Sequence, residues 1–146
     1  MLIRFAARVM EVVDEILAAR CYGVVHCGVS RFAHKDVLAL ATEFGLHDDP
    51  SAFEPVSASD ALAIVASILH KDMAYSHPMM AEERAKELAE RFLEQFGAEA
   101  KVYSNGWTGW ETGSTGWNPA TDATFDTGVL IIGNDRSGCV WVEDED

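Results

Sequence analysis

Apolar residues recur every three or four positions through the first two thirds of the chain, which is the spacing of one buried face of a helix. The pattern predicts four helices, over residues 2–20, 31–44, 57–73 and 78–96. Residues that commonly begin or end helices flank these segments: Ser30, Ser57 and Pro78 at the starts, and Gly23, Gly45 and Gly97 at the ends. Residues 46–56 contain two prolines and three acidic residues, so a loop is predicted there.

The pattern changes to short apolar runs towards the end of the chain. Residues 129–132 and 139–142 are rich in strand-forming residues, and residues 133–138 between them are mostly turn formers, so we predict an antiparallel hairpin over residues 128–143. Because a lone hairpin is only marginally stable, one or two further strands are expected, from residues 101–104 and 123–125. Residues 24–29 fit either a short strand or an extended connection.

Together these elements predict an α+β fold, in which about four N-terminal helices pack on a small C-terminal antiparallel sheet. The chain of 146 residues, 49% of them hydrophobic, is long and apolar enough for a single core. We therefore expect one domain over residues 1–146, with a helical part at 1–97 and a Trp/Gly-rich loop plus hairpin at 98–146. The helices are expected to cover one face of the sheet.

The charge distribution narrows the class of partner. The formal net charge is −13, and it is uneven: residues 1–40 carry five Lys/Arg and four Asp/Glu, whereas residues 41–146 carry six and twenty. Such a surface repels nucleic-acid phosphates and anionic membranes, so we predict no direct nucleic-acid binding and no membrane association. Basic protein surfaces are the electrostatically favoured partners.

Three cysteines at irregular spacing do not form a disulfide framework, and charged residues interrupt the apolar N-terminal segment. Both features predict a cytoplasmic protein, of bacterial or phage origin. Cys21, His26 and Cys27 are three potential metal ligands within seven residues, with His34 or Cys139 available to complete a site in space. A second matching pair is absent from the sequence, so no metal and no cofactor are predicted, and these residues are interpreted as structural.

The Trp/Gly-rich loop is the most unusual segment, because Trp107, Trp110 and Trp117 each follow a glycine. Three interpretations are open: the indoles pack over the sheet, anchor a protein interface, or form a platform for a small ligand. The acidic run that follows the hairpin consists of Glu143, Asp144, Glu145 and Asp146. This run either protects a strand edge from pairing or docks a basic partner.

The favoured hypothesis is an acidic, non-enzymatic module that binds a basic protein through these tryptophans and carboxylates. Inhibition of the partner, in the manner of immunity proteins or phage anti-defence proteins, is an extension of that hypothesis. The sequence has no phosphate-binding glycine loop and no Gly-x-Ser-x-Gly or His-Glu-x-x-His motif, which agrees with a non-enzymatic role.

The alternative hypothesis is a small-molecule-binding protein or an enzyme. Its pocket would lie between the Trp/Gly loop and the joint of the third and fourth helices, and would use His70, Asp72, Tyr75, His77 and Asp126 for acid–base work. Helix capping and hydrogen bonding between helices explain the same residues without a pocket. A homodimer formed through the edge of the sheet is the third possibility.

Overall fold

The computed structural model of the chain describes residues 2–30, 32–105 and 119–145. These residues form four α-helices and five strands, with a short 3-10 helix at Pro50–Ala52. In chain order the elements are α1 (Leu2–Ala19), β1 (Val24–Val29), α2 (Val37–Glu43), β2 (Glu54–Val56), α3 (Ala58–His70), α4 (Glu82–Glu94), β3 (Lys101–Ser104), β4 (Phe125–Ile132) and β5 (Ser137–Asp144). The predicted α+β class is confirmed at this level.

The five strands form one antiparallel sheet in the order β1-β5-β4-β3-β2. The predicted hairpin is its centre: β4 and β5 pair from Phe125 with Asp144 to Ile132 with Ser137. Residues 101–104 form the predicted third strand, while Phe125 begins β4 rather than ending a separate strand. The expectation of a C-terminal sheet holds only in part, because β1 and β2 come from the N-terminal part of the chain. Residues 24–29 had been left open between a strand and a connection, and residues 46–56 had been predicted to form a loop.

Three helices cover one face of the sheet. Val129 and Ile131 of β4 and Val140 and Val142 of β5 point to this face, since alternate strand residues share a side. Buried residues from the helices pack against them: Val12, Val13 and Ile16 of α1, Ala61, Ile64, Val65, Ile68 and Leu69 of α3, and Ala85, Leu88, Ala89 and Phe92 of α4. This layer is the main core of the protein.

The second face is also covered, contrary to the prediction of a one-sided helical cover. Leu40 and Ala41 of α2 pack there against Leu130, Cys139 and Trp141, and Trp141 is fully buried. The central strands are apolar on both sides, so each face requires a covering layer. The glycine at position 128 allows close packing, because a Cβ there would lie 2.1 Å from the carbonyl oxygen of residue 140.

The start of α2 differs from the prediction for a local reason, whereas the start of α3 agrees with it. Helix α2 begins at Val37 rather than at residue 31, because the Ser30 hydroxyl accepts a hydrogen bond from the Phe32 amide at 2.9 Å and forms a turn instead of a cap. Asp36 caps α2 by accepting from the Leu38 amide at 3.0 Å. Ser57 caps α3 as predicted, accepting from the Asp60 amide at 3.1 Å.

The joint between α3 and α4 is longer than predicted and contains no helix at Pro78. Backbone hydrogen bonds close it: the Met79 amide donates to the His70 carbonyl at 2.7 Å, and the Asp72 amide donates to the His77 carbonyl at 3.1 Å. Lys71 and Pro78 form an isolated bridge within the same loop. Within the described ranges, no helix has both the length and the apolar character that a membrane span requires.

Candidate functional site

An open cleft of about 460 Å³ lies where the joint between α3 and α4 meets the ends of β1 and β5. Its lining comes from three segments: Tyr22, Gly23 and Val24 before and at the start of β1, Asp72, Tyr75, His77 and Met79 of the joint, and Glu143, Asp144 and Glu145 at the end of β5. The fold therefore brings together residues that the two sequence hypotheses had assigned to separate sites.

A buried ion pair holds Asp144, one of the lining residues of the cleft. The Arg20 guanidinium, which is fully buried, donates to the two carboxylate oxygens of Asp144 at 2.9 and 2.7 Å. Its Nε donates to the Ile68 carbonyl at 2.9 Å, and the Met73 amide donates to Asp144 at 2.9 Å. The pair thus ties the end of α1, the end of α3 and β5 together. Asp144, predicted as a surface binding residue, is buried and already compensated.

Gly23 allows the chain to pass this ion pair. Its φ angle is +75°, a backbone conformation that residues other than glycine adopt only at a cost in free energy. A Cβ at this position would lie 2.5 Å from a carboxylate oxygen of Asp144 and 2.5 Å from the carbonyl oxygen of Glu143. Gly23, predicted only as a residue that ends a helix, therefore also forms part of the wall of the cleft.

The joint presents a tyrosine to solvent. The Asp72 carboxylate accepts hydrogen bonds from the backbone amides of Tyr75 at 2.7 Å and His77 at 3.3 Å, which fixes the turn. Ser76 lies between them with a φ of +55°. Tyr75 is 68% exposed, and Tyr22 at the other wall of the cleft is 67% exposed. Tyr75 was among the residues predicted to line a pocket, and Tyr22 was not.

The carboxylates give the cleft a negative charge. Asp72, Glu143 and Glu145 line it in addition to Asp144, whereas no Lys or Arg is present among its described lining residues. Glu143 forms a 2.6 Å contact with the imidazole of His26, and Glu145 accepts a hydrogen bond from the Thr124 amide at 3.2 Å. Carboxylates held on low-dielectric walls concentrate the electric field and attract cations.

Asp126 lies elsewhere, although the alternative hypothesis grouped it with His70 and the joint. It points to the face of the sheet that α2 covers, where it accepts a hydrogen bond from the indole of Trp141 at 3.0 Å. Asn105 donates to it at 3.0 Å, and the Thr121 hydroxyl donates at 3.0 Å. Burial raises the pKa of the Asp126 carboxyl, and these hydrogen bonds oppose the shift.

His70 is part of the scaffold of the joint, because its Nδ1 contacts the carbonyl oxygen of Met80 at 2.8 Å. The structure does not bring Cys21, His26 and Cys27 together. Cys27 packs towards the main core, where burial raises its thiol pKa to about 12. His26 points to the opposite face, and Cys21 is exposed.

No group of three or more His, Cys, Asp or Glu side chains is placed to hold a metal ion within residues 2–30, 32–105 and 119–145. The predicted binding residues Trp107, Trp110, Trp117 and Asp146 lie outside the described residues. Asn105 and Thr121 lie before and after the three tryptophans in the sequence, and the side chains of both donate hydrogen bonds to Asp126.

Comparison of the chain with protein-family models, with curated proteins and with solved structures found no match.

Proposed function

We propose that the protein is a non-enzymatic binding module whose acidic cleft receives a basic side chain from a protein partner. The main support is the composition of the cleft: three carboxylates besides the compensated Asp144, two exposed tyrosines, and no Lys or Arg in its described lining. Carboxylates attract a lysine or arginine, and tyrosine rings contact its alkyl stem and its charge. Aromatic residues also supply a large share of the binding energy in many protein interfaces.

A protein partner is favoured over a small cation by the charge beyond the cleft. Residues 41–146 carry twenty acidic and six basic residues, so negative charge extends over a surface larger than one pocket. An extended basic partner gains from this surface through faster association and better complementarity. Occupation of the partner's basic surface would also inhibit any function of that surface. We place this interaction in the cytoplasm, in keeping with three free cysteines.

The test compares two variants of equal charge change. Glu143→Gln/Glu145→Gln removes two carboxylates of the cleft, and Glu90→Gln/Glu99→Gln removes two exposed ones elsewhere. The partner is captured from lysate on the immobilised protein, identified by mass spectrometry, and its affinity is measured by calorimetry. At 0.5–1 kcal/mol per exposed ion pair, the cleft variant should bind about tenfold more weakly.

Binding should also weaken as salt rises from about 0.1 M to about 1 M, because the screening length falls from about 10 Å to about 3 Å. The control variant should bind like the unmodified protein. Equal losses in the two variants, or affinity that does not change with salt, would count against the cleft as the binding site.

A second candidate is a small cationic ligand, which the size of the cleft favours: 460 Å³ lies within the usual range of ligand pockets. Choline and spermidine are suitable probes. Saturable binding of either, lost in Glu143→Gln/Glu145→Gln and retained in the control, would support this candidate. No binding of either probe, together with a basic protein partner, would support the first.

A further inference from the structure

Strand β1 leaves an open row of backbone hydrogen-bonding groups at one edge of the sheet. It pairs with β5 on one side only, since it is the outermost strand in the order β1-β5-β4-β3-β2. The Ser30 amide donates to the Ser137 carbonyl at 2.8 Å, which fixes the alternation of the pairing. The amides and carbonyls of Val25, Cys27 and Val29 therefore point away from β5. None of them has a backbone partner outside β1 among the described residues.

The two edges of the sheet differ in their protection. Strand β2 is three residues long and contains Pro55, and both features prevent further pairing. Strand β1 is six residues long, with the sequence VVHCGV, and it contains no proline, lysine or carboxylate. An unprotected edge of this length is a template for the addition of another strand.

Exposed apolar side chains lie on β1 and on the segments next to it. Val24 at the start of β1 is 52% exposed, and Phe32, just after its end, is 64% exposed. Leu17, on the helix that packs against β1, is 43% exposed. Burial of these side chains by a partner strand would add apolar contact to the backbone hydrogen bonds.

The local charge indicates which partner fits. Between Ile16 and Lys35 the sequence has no Asp or Glu, although the chain as a whole has a net charge of −13. The nearest acidic neighbour in the ladder, Glu143, is in contact with His26. Two copies of a strongly acidic chain repel each other over most of their surface, and this edge is where they approach with the least repulsion.

We propose that two copies of the chain associate through β1, antiparallel, about a two-fold axis at Cys27. Val25 of each copy then pairs with Val29 of the other, and the two Cys27 residues face each other. Each of these three pairs contributes two backbone hydrogen bonds, because both of its members point outward. The two sheets become one continuous sheet with a self-complementary interface. This proposal does not depend on the function of the cleft.

Two substitutions at one position test the proposal. Cys27→Pro removes an outward amide from each copy without removing a bond to β5, and proline is tolerated at such edge positions. Cys27→Ser keeps the amide and removes the thiol. By sedimentation equilibrium under reducing conditions, Cys27→Ser should dimerise like the unmodified protein. Cys27→Pro should dimerise at least about tenfold more weakly, since two central hydrogen bonds are lost.

Hydrogen exchange followed by NMR tests the interface without a substitution. The amides of Val25, Cys27 and Val29 should become protected as protein concentration rises, whereas those of Glu54 and Val56 on the other edge should not change. A chain that stays monomeric at all concentrations overturns the proposal, as does a dimer in which the β1 amides exchange rapidly. If the β1 amides become protected only after a different protein is added, the strand that pairs with β1 is not a second copy of this chain, and the proposal is overturned. Far-UV circular dichroism checks that Cys27→Pro folds. If the variant does not fold, the hydrogen-exchange experiment on the unmodified protein decides the proposal.

Discussion

Replacement of Arg20 by methionine should destabilise the protein more than any other single change near the cleft. The substitution keeps most of the buried aliphatic volume but removes the cation that faces Asp144. The carboxylate, whose side chain is only 4% exposed, then keeps one described hydrogen bond, from the Met73 amide. Breaking a buried pair by removing one partner costs about 3–5 kcal/mol. The loss is a large part of a typical domain stability of about 5–15 kcal/mol.

Urea unfolding of a double-mutant cycle gives the assay. With a urea dependence of about 2 kcal/mol per molar, Arg20→Met should lower the unfolding midpoint by about 2 M. Asp144→Asn should be destabilising as well, because it leaves the guanidinium buried without its counter-charge. The double variant Arg20→Met/Asp144→Asn buries no uncompensated charge, so it should be more stable than the sum of the single losses predicts, by at least about 2 kcal/mol.

Glu15→Gln is the matched control, since it breaks ion pairs with Arg84 and Arg91 that are partly exposed. Its cost should not exceed about 1 kcal/mol. A loss below about 1 kcal/mol for Arg20→Met, or strict additivity in the double variant, would refute the assignment of this pair as the element that holds the cleft together.

Three further predictions use the same stability measurements or a simple labelling assay. Gly23→Ala should cost at least about 1 kcal/mol more than Gly97→Ala in thermal unfolding: both have positive φ, but only at Gly23 does the added carbon meet other atoms, including Asp144. Hydrogen bonds from two arginines of α4 lower the pKa of Glu15 from 4.5 to about 2, so its contribution to stability is complete above pH 4.5 and is lost as the pH falls towards 2. Glu15→Gln should remove that part of the pH dependence, and an unchanged acid profile would contradict it. Cys21 should be the cysteine that a thiol reagent labels first in the folded protein, because burial raises the pKa of the other two thiols; labelling of all three at equal rates would contradict this.

The parts of the fold that could be predicted from the sequence are those with strong local periodicity. The apolar spacing of α1, α3 and α4 identified all three helices. Ser57 marked the start of α3, where its hydroxyl accepts a hydrogen bond from the Asp60 amide. The central hairpin was recognisable because two β-rich runs flank a segment of turn formers. In each case the interactions that define the element lie within a few residues along the chain.

The parts that could not be predicted depend on contacts between distant residues. Strand β1 pairs with β5 more than one hundred residues later, and its own sequence, which contains His26 and Gly28, has no clear alternation. The presence of Pro55 indicated a loop, and only the pairing with β3 makes that segment a strand. Arg20 and Asp144 are separated by 124 residues, so nothing local marked either as a member of a buried pair.

Four acidic residues on or beside the central hairpin, Asp126, Asp144, Glu143 and Glu145, differ in their burial. Asp144 and Asp126 are turned inward, where a guanidinium or a set of hydrogen-bond donors compensates each carboxylate and fixes the surrounding segments. Glu143 on β5 and Glu145 just after its end flank one of these inward carboxylates and line the cleft. The buried pair holds in place the backbone that carries the outer charges. Under the proposed function, a cationic partner would meet carboxylates on an ordered backbone and would lose little conformational entropy on binding. It follows that Arg20→Met should weaken binding of a cationic partner even under conditions where the variant remains folded. Glu15→Gln, compared under conditions where it is folded to the same extent, should leave that binding unchanged.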